Sequence, residues 1–336
     1  MRALDKIIEN LIWKPSGFVP SLESLEPSHG VTGNWNVTMT MTESSEGHPL
    51  RVVELAGGKI IGNLRMVATA GDVLIGGLQS LPSGMDPQNH YLARRRRFRL
   101  RKFRRGTALL LGAANSDNYY HWMLDSVPRW KVLQAAKQFN YDFVLLHDEP
   151  VRFQDETLDR MGIPREKRLR CSKNFVHQFE RLVVLPLPPV TSWSCSYVRS
   201  LFPKRASGPE NIYLRRGPGR RQLVNEAELE AALAKIGFVS IEPGRQTATE
   251  QAGFLSSARC VVAPHGAALT NIIFAPCGAL IVELLHPQYR WGCYPYLAKT
   301  CGHRCVGLEG KMINRANDSK LKYSVDVSAV LEALKQ

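Results

Sequence analysis

Short apolar runs alternate with helix-length stretches along the last two thirds of this chain. The runs at 143–147, 182–185, 211–214, 260–263 and 280–284 have the length of strands and are mostly apolar. Strands that are apolar on both faces and separated by helices are typical of a parallel sheet covered by helices. The pattern therefore predicts an α/β fold, with helices at 119–139, 153–161, 226–236, 250–257 and 289–300.

The first hundred residues carry a different pattern. Short β-branched runs at 52–55, 59–61 and 73–75 are separated by glycine-containing turns, which predicts additional strands at the N-terminal end. The segment 203–209 contains two prolines and a glycine and is typical of a linker. The sequence thus predicts two domains, an N-terminal one over 1–205 and a C-terminal one over 206–336.

The N-terminus predicts a short amphipathic helix rather than a leader or a membrane anchor. Acidic residues interrupt its apolar stretch and no small-residue cleavage site follows, so a signal peptide is not expected. No stretch approaches the roughly 20 apolar residues of a membrane-spanning helix. Packing of this helix against its own domain is favoured over membrane docking, and its apolar side consists of Leu4, Ile7, Ile8, Leu11 and Ile12.

Charge adds a constraint on the binding partner. The chain has 44 lysines and arginines against 30 acidic residues, a net charge of +14. Such a surplus indicates an anionic partner: nucleic acid, acidic lipid or a phosphate-bearing substrate. Eight arginines and one lysine fall in the run 94–105, where Phe98 and Leu100 suit one face of an edge strand.

Three interpretations of the basic run 94–105 remain open. It is either a solvated strand edge, a patch that docks on an anionic membrane face, or a nucleic-acid-binding segment. No recognised nucleic-acid motif surrounds the run, so nucleic acid is the least favoured of the three. The seven scattered cysteines indicate reduced thiols and therefore a cytoplasmic location. Peripheral contact with the inner face of a membrane is the alternative location. Cys301-x-His303-x-Cys305 lacks a second ligand pair, so no zinc is expected.

Two segments of the C-terminal part predict an anion site. Four arginines surround a Gly-Pro-Gly turn directly after the strand at 211–214, namely Arg215, Arg216, Arg220 and Arg221. Small residues follow the strand at 260–263 and begin a helix, whose free N–H groups favour an anion. The residues concerned are His265, Gly266, Ala267, Ala268 and Asn271. Since ligands of parallel sheets bind beyond the carboxyl ends of strands, the two segments predict a diphosphate pocket. The alternative is that the arginines only solvate a loop.

Missing motifs narrow the chemistry of that pocket. The sequence has neither a G-x-x-x-x-G-K-[ST] loop nor a G-x-G-x-x-G after a strand, which argues against a P-loop enzyme and a dinucleotide-dependent oxidoreductase. It also has no Asp-x-Asp pair for chelating a metal. Arginines and backbone amides are therefore expected to stabilise a leaving phosphate, without cofactor or essential metal.

A third motif predicts acid–base chemistry. On a helix His121 and Asp125 are four residues apart and share a face. Either Asp125 removes a proton from a hydroxyl with His121 as its hydrogen-bond partner, or His121 does so with Asp125 fixing its tautomer. A purely structural arrangement is equally compatible with the spacing: an ion pair from Asp125 to Arg129, with His121 buried.

Together these motifs resemble glycosyltransferase family 61. The resemblance rests on the order and spacing of several blocks between residues 109 and 285: His121-Trp122-x-x-Asp125-x-x-Pro128-Arg129, Tyr213-Leu214-x-Arg216, Arg220-Arg221-x-Leu223-x-Asn225-Glu226, Pro264-His265-Gly266-Ala267-x-Leu269-Thr270-Asn271 and Glu283-Leu284. Position 215 is an arginine where a small hydroxyl residue is common, so either Arg215 or Arg216 is expected at the diphosphate. No family motif lies in the first hundred residues.

The resemblance implies a fold and an activity. The expected fold is GT-B-like, with two facing Rossmann-like domains and the donor held by the C-terminal one. The expected reaction is an inverting, metal-independent transfer of a sugar from a nucleotide-diphosphate donor to an acceptor hydroxyl of a glycan or glycolipid, in the assembly of cell-surface polysaccharide or glycoconjugates. Glu250 or Glu283 is expected at the ribose or the donor sugar. The alternative is a basic protein that binds nucleic acid or an anionic membrane without catalysis.

Overall fold

A computed structural model describes residues 12–13, 15, 17–19, 37–43, 49–75, 78, 97–98, 100–135, 140–185, 187–204, 207–216, 221–313 and 321–335. The chain divides into two compact units, Met1–Pro189 and Val190–Gln336. The boundary predicted after residue 205 falls inside the second unit. The helix at 192–200 belongs to that unit because Arg199 Nε donates to the carbonyl of Ile273, at 2.7 Å, and Phe202 packs on Phe274.

The first unit is built on a mixed sheet of ten strands, with a separate two-stranded pair. Its strands are β1 (Ile12–Trp13), β2 (Gly17–Val19), β3 (Val37–Glu43), β4 (Pro49–Ala56), β5 (Lys59–Ile61), β6 (Met66–Ala68), β7 (Val73–Ile75), β8 (Arg97–Phe98), β9 (Leu100–Leu110), β10 (Phe143–His147), β11 (Arg168–Cys171) and β12 (Phe175–Val184). The parallel part has the order β11-β10-β9-β12. In chain order this is 3-2-1-4, the first four positions of the doubly wound order 3-2-1-4-5-6.

The strands predicted in the first hundred residues are confirmed, and they extend that sheet. β4 and β5 pair antiparallel with β12, and β6, β7 and β2 continue beyond β5. The core of the unit lies where these strands meet the parallel ones, for example at Leu55, Ile60 and Leu182. Of the predicted N-terminal helix, Leu4, Ile7, Ile8 and Leu11 lie outside the described residues. Ile12 is in β1, opposite Phe98 of β8, so the helix prediction is wrong there.

The basic run 94–105 enters the sheet as β8 and the first half of β9. Residues 94–96 and Arg99 lie outside the described residues. Leu100–Arg104 pair with β12, and within the described strands β10 reaches only Ala108, Leu109 and Leu110 of β9. The edge-strand prediction therefore fits only the first half of β9. The second half is interior, because its apolar residues pair on both sides.

Helices connect the parallel strands of the first unit. A helical segment lies between β9 and β10 and consists of α1 (Tyr119–His121), a π-helical turn (Trp122–Ser126) and α2 (Val127–Ala135). Helix α3 (Arg152–Arg160) and a 3₁₀ turn (Arg165–Lys167) lead from β10 to β11. Both helices fall where apolar periodicity predicted them.

The second unit contains a five-stranded parallel sheet and a small three-stranded sheet. Its strands are β13 (Asn211–Leu214), β14 (Arg221–Leu223), β15 (Val239–Ile241), β16 (Cys260–Pro264), β17 (Leu280–Leu285), β18 (Arg304–Glu309), β19 (Lys311–Met312) and β20 (Leu321–Ser324). Its helices are α4 (Ser192–Ser200), α5 (Glu226–Ala234), α6 (Ala248–Leu255), α7 (Cys293–Thr300) and α8 (Val327–Ala333), with 3₁₀ segments at Pro243–Arg245 and Ala267–Phe274. The α/β fold with parallel sheets is thus confirmed in each unit.

The topology of each parallel sheet marks one place for a ligand. The large sheet of the second unit has the order β15-β13-β16-β17-β18, which is 2-1-3-4-5 in chain order. From one strand of such a sheet the chain continues first toward one edge and later toward the other, so two neighbouring strands have connections that run in opposite directions. Ligands bind at the carboxyl ends of these two strands. These strands are β13 and β16 in the second unit, and β9 and β12 in the first.

Candidate active site

The first candidate site follows the carboxyl end of β9. The strand ends at Leu110 and α1 begins at Tyr119, so His121 and Asp125 lie in the helical segment that follows the carboxyl end of β9. His121 Nδ1 lies 2.6 Å from Asp125 Oδ2, and both side chains are partly exposed. The predicted pair is therefore formed. An imidazole that donates one N–H to a carboxylate keeps its other nitrogen available for a proton.

A π-helical turn holds this pair. Val127 N–H donates to the carbonyl of Trp122, five residues earlier. Pro128 has no N–H and its ring would clash with the carbonyl of Leu124 in a regular α-helix, so the turn widens just before it. Such π-helical turns are frequent at functional sites. Periodicity alone predicted a regular helix at this place.

Arg129 ties the same helix to the end of β9. Its side chain is buried, and Nη1 donates to the carbonyls of Leu111 and Gly112 at 3.2 and 2.9 Å. Burial lowers the pKa of Arg129 to about 10, and the charge of Asp125 opposes that shift. Arg129 thus bonds to backbone while Asp125 bonds to His121, and the ion-pair interpretation of Asp125 with Arg129 is not the one observed.

The second candidate site lies at the carboxyl ends of β13 and β16. Arg216 follows β13, and its Nη1 donates to the carbonyl of His265, which follows β16. Burial is the main cause that lowers the pKa of Arg216, and the neighbouring Arg221 adds to it. Two cationic side chains in one partly buried place favour an anionic ligand there.

Arg215 takes a different direction. Its Nε lies 3.1 Å from Glu230 Oε1 on helix α5. Of the two arginines that the sequence left open, Arg216 is the one that reaches the turn after β16. Arg220 lies outside the described residues, together with the Gly-Pro-Gly turn.

His265 and Glu283 form a buried pair beside Arg216. His265 Nδ1 donates to Glu283 Oε1, and both side chains are almost fully buried. Glu283 is the single charged residue of the buried strand β17, and its Oε2 accepts no hydrogen bond from the described residues. A buried carboxylate oxygen without a donor is costly, so this place suits a ligand that carries hydroxyl groups.

Gly266 allows Arg216 to approach. A Cβ atom added at Gly266 would lie 2.3 Å from Arg216 Nη1. The next residues, Ala267 and Ala268, open the 3₁₀ segment, where N–H groups lack partners within the helix. Asn271 is buried, and its Nδ2 donates to Gln251 Oε1 and to the carbonyl of Ala268, which fixes this turn.

Glu250 lies in the predicted capping box of α6. Its Oε2 accepts from the N–H of Thr247 at 2.7 Å, and Thr247 Oγ1 accepts from the N–H of Glu250. The capping box is confirmed. A role of Glu250 at the donor stays a prediction, and of the two glutamates Glu283 has the contacts with His265.

The structure adds residues that the sequence motifs missed. Tyr289 lies between His265, at 5.2 Å between ring centroids, and the Arg221 guanidinium, at 3.8 Å from its ring centroid. His286 is buried, and its Nε2 has no partner within the described residues. Burial and the charge of Arg221 lower the pKa of His286. His286 and Tyr289 lie in the loop before α7. The helix predicted over 289–300 is wrong for 289–292, because α7 begins only at Cys293.

The described part of the chain was searched for metal sites and for membrane-spanning helices. It contains no group of three or more His, Cys, Asp or Glu side chains arranged to hold a metal ion. Cys301, His303 and Cys305 therefore do not form such a group. None of its helices combines the length and the apolar composition needed to cross a bilayer.

Comparison with known proteins bears on both sites. The sequence pattern of a family described as Glycosyltransferase 61 matches residues 119–282, just under half of the chain, and confirms the resemblance. The matched segment contains both His121 and His265. A protein of Oryza sativa subsp. japonica named Beta-1,2-xylosyltransferase XAX1 is 35% identical over 81 residues, which is 24% of this chain and only 14% of the rice protein. Both findings support glycosyl transfer.

Proposed function

We propose, from the match of residues 119–282 to glycosyltransferase family 61, that this chain transfers a sugar from a nucleotide-diphosphate donor to an acceptor hydroxyl. One observation carries the proposal of a diphosphate donor. Arg216, Arg221 and the turn at Gly266 meet where the topology of the second unit expects a ligand. Guanidinium groups are suited to bidentate contacts with phosphate oxygens.

The proposed reaction is a single displacement. The acceptor oxygen loses its proton to the pair His121 and Asp125, then forms a bond to the anomeric carbon of the donor sugar. The bond from that carbon to the diphosphate oxygen breaks, and the electron pair leaves with the phosphate. Arg216 and Arg221 stabilise the resulting charge. One displacement inverts the configuration of the anomeric carbon.

The proposal gives different residues different roles. His121 and Asp125 accept the proton, Arg216 and Arg221 are the cations for the diphosphate, and Glu283 Oε2 is an acceptor for a sugar or ribose hydroxyl. Metal independence is part of the proposal and is supported by the sequence, which lacks an Asp-x-Asp pair. The GT-B arrangement implied by the family resemblance stays a prediction.

Nucleotide binding tests the proposal directly. A thermal-shift panel of nucleoside diphosphates and nucleotide sugars should raise the melting temperature with one base class, since a ligand stabilises the fold that binds it. Arg216→Gln should reduce that shift. Arg245→Gln is the matched control, because Arg245 is exposed and, among the described residues, pairs only with Glu242 three residues away. If no nucleotide shifts the wild type, the proposal is wrong.

A lipid-linked acceptor is a separate proposal about the partner. Leu100 and Phe103 are exposed on opposite faces of β9 among its basic residues, and basic residues near an anionic lipid surface contribute to binding. Pelleting with liposomes should then require acidic lipid and weaken with salt. The absence of pelleting with acidic liposomes would contradict membrane contact and leave a soluble glycan as the acceptor, and equal pelleting with neutral liposomes would contradict the role of the basic residues.

A further inference from the structure

A short loop after β17 extends the second site toward its surface. Residues 286–292 leave the carboxyl end of this strand, which is the neighbour of β16 in the sheet. Tyr289 N–H donates to the carbonyl of His286 at 2.8 Å, and Gln288 N–H donates to His286 Nδ1 at 3.1 Å. Arg290 forms an ion pair with Glu309 of β18 at 2.6 Å. The loop is therefore fixed at both sides of Tyr289.

Three rings lead outward from the buried pair along this loop. The rings of His265 and Tyr289 have centroids 5.2 Å apart, and those of Tyr289 and Trp291 have centroids 6.1 Å apart. Trp291 is 62% exposed, the highest value for a large apolar side chain in the described residues. Loss of water contact by an exposed indole is favourable, so a flat ligand that covers Trp291 gains binding energy.

Near the buried end of these three rings, unpaired polar atoms require polar groups on a ligand rather than a flat apolar surface. Glu283 Oε2, His286 Nε2 and Arg221 Nη1 are buried atoms without a partner among the described residues. Gln288 N–H donates to Nδ1 of His286, so in the neutral ring Nε2 carries the proton and is a donor. The place thus offers donors to an anion and one acceptor to a hydroxyl, with an aromatic surface farther out.

A ligand that satisfies all three demands has an anion, hydroxyl groups and a planar ring in one molecule. We propose that Trp291 stacks on the base of a nucleoside diphosphate whose phosphates lie at Arg216 and Arg221. Tyr289 holds the Arg221 guanidinium in place through its ring face. This inference rests on the proposed function and adds to it the part of the chain that holds the base.

Truncation of Trp291 separates base binding from phosphate binding. The probes are uridine diphosphate, guanosine diphosphate and inorganic pyrophosphate, with dissociation constants measured by isothermal titration calorimetry. Stacking on an aromatic side chain contributes about 1–3 kcal/mol per base, so Trp291→Ala should weaken the preferred nucleoside diphosphate about five- to 150-fold. The same variant should bind pyrophosphate as the wild type does.

Two further variants complete the design. Trp291→Phe keeps an aromatic face and should recover most of the affinity, while the quenching of indole emission by the nucleotide is reduced. Tyr296→Ala removes another exposed aromatic side chain of the same unit and should leave all three constants unchanged. Since both side chains are exposed, melting temperatures close to wild type are expected and should be recorded for each variant.

Each outcome decides the inference. Unchanged nucleotide affinity in Trp291→Ala overturns it while the proposed function stands, and so does an equal loss for pyrophosphate. A raised KM for the acceptor with unchanged nucleotide affinity would assign the indole to the acceptor and also overturn it. If the wild type binds neither nucleotides nor pyrophosphate, the proposed function fails and the inference fails with it.

Discussion

Arg216 donates a guanidinium hydrogen bond to the main-chain carbonyl of His265, 49 residues later in the chain. The bond joins the ends of β13 and β16, the two strands at which the connection order of the sheet reverses. The acceptor of this bond is a carbonyl rather than a carboxylate, so the contact does not neutralise the positive charge of Arg216. The arrangement keeps a cation where an anionic ligand is expected.

Substitution of Gly266 should displace Arg216 without unfolding the chain. In Gly266→Ala the new Cβ would lie 2.3 Å from Arg216 Nη1, and the far end of that flexible side chain must move. The backbone of Gly266 is extended, with φ of 170°, so alanine fits the conformation itself. Loss of a hydrogen bond to a charged group costs about 1.5–3 kcal/mol, which predicts a tenfold or greater loss of nucleotide affinity.

Gly244→Ala is the matched control for that substitution. No atom lies within 4 Å of a Cβ added at Gly244, in the 3₁₀ turn at Pro243–Arg245. Calorimetric titration of both variants should show a loss only for Gly266→Ala. Equal affinities in the two variants would show that Arg216 does not bind the nucleotide.

Removal of Asp125 should stop the transfer and spare nucleotide binding. Asp125 Oδ2 contacts His121 Nδ1 at 2.6 Å, and proton removal by such a group typically supplies about 10²–10⁴-fold in rate. Asp125→Ala is therefore expected to lower kcat by that factor while the dissociation constant of the donor nucleotide stays within twofold. Steady-state rates and titration calorimetry measure the two quantities.

Asp155→Asn serves as the carboxylate control in the same unit. Asp155 is about half exposed and pairs with Arg170, which is partly exposed, and with Arg168, which is nearly buried. Its kcat should equal that of the wild type. A normal turnover number in Asp125→Ala would remove the pair from the proposed mechanism.

Apolar runs predicted the strands because a buried parallel strand has no polar face to interrupt it. β10 and β13 begin and end at the predicted residues, since a charged or small residue follows each run. The π-helical turn at Trp122–Ser126 was not predicted, because its residues keep apolar spacing. Pro128 carried the signal: a residue without N–H inside a helical stretch requires an irregular turn before it.

Only those residues of the candidate sites that belong to sequence motifs were predicted. Spacing placed Arg215 and Arg216 together, but successive residues after a strand point in opposite directions, and Arg215 turns to Glu230. His286 was missed because a loop has no period to indicate which side chain faces a ligand. Tyr289 and Trp291 were assigned to a helix over 289–300, whereas α7 begins at Cys293. Their position follows from the register of β17 with β16, which only the structure supplies.

The hydrogen bond from Trp122 to Thr157 should determine the stability of the π-helical turn. Trp122 Nε1 donates to Thr157 Oγ1 at 2.6 Å, and both side chains are fully buried. Thr157→Val keeps the shape and leaves the indole N–H without an acceptor, which costs about 1–3 kcal/mol. The melting temperature should fall, and hydrogen exchange of the indole N–H should become faster.

Thr157→Ser distinguishes the effect of the hydroxyl group from that of the methyl group. Serine retains the acceptor and loses one buried methyl, at a cost of about 1 kcal/mol. Slow indole exchange should therefore persist in this variant despite a lower melting temperature. Indole exchange as fast in Thr157→Ser as in Thr157→Val would assign the effect to packing instead.

Acid should destabilise the second unit through His303. This residue is buried, its Nε2 donates to the carbonyl of Ile272 at 2.9 Å, and burial is the main cause that lowers its pKa. The unfolded chain then binds more protons than the folded one, so stability present at neutral pH is lost as the pH falls below about 6.5. His303→Gln keeps an N–H donor for Ile272 and removes the titrating group. Its melting temperature should fall less between pH 7 and pH 5 than that of the wild type, as measured by scanning calorimetry. Parallel falls in the two proteins would show that other groups cause the acid sensitivity.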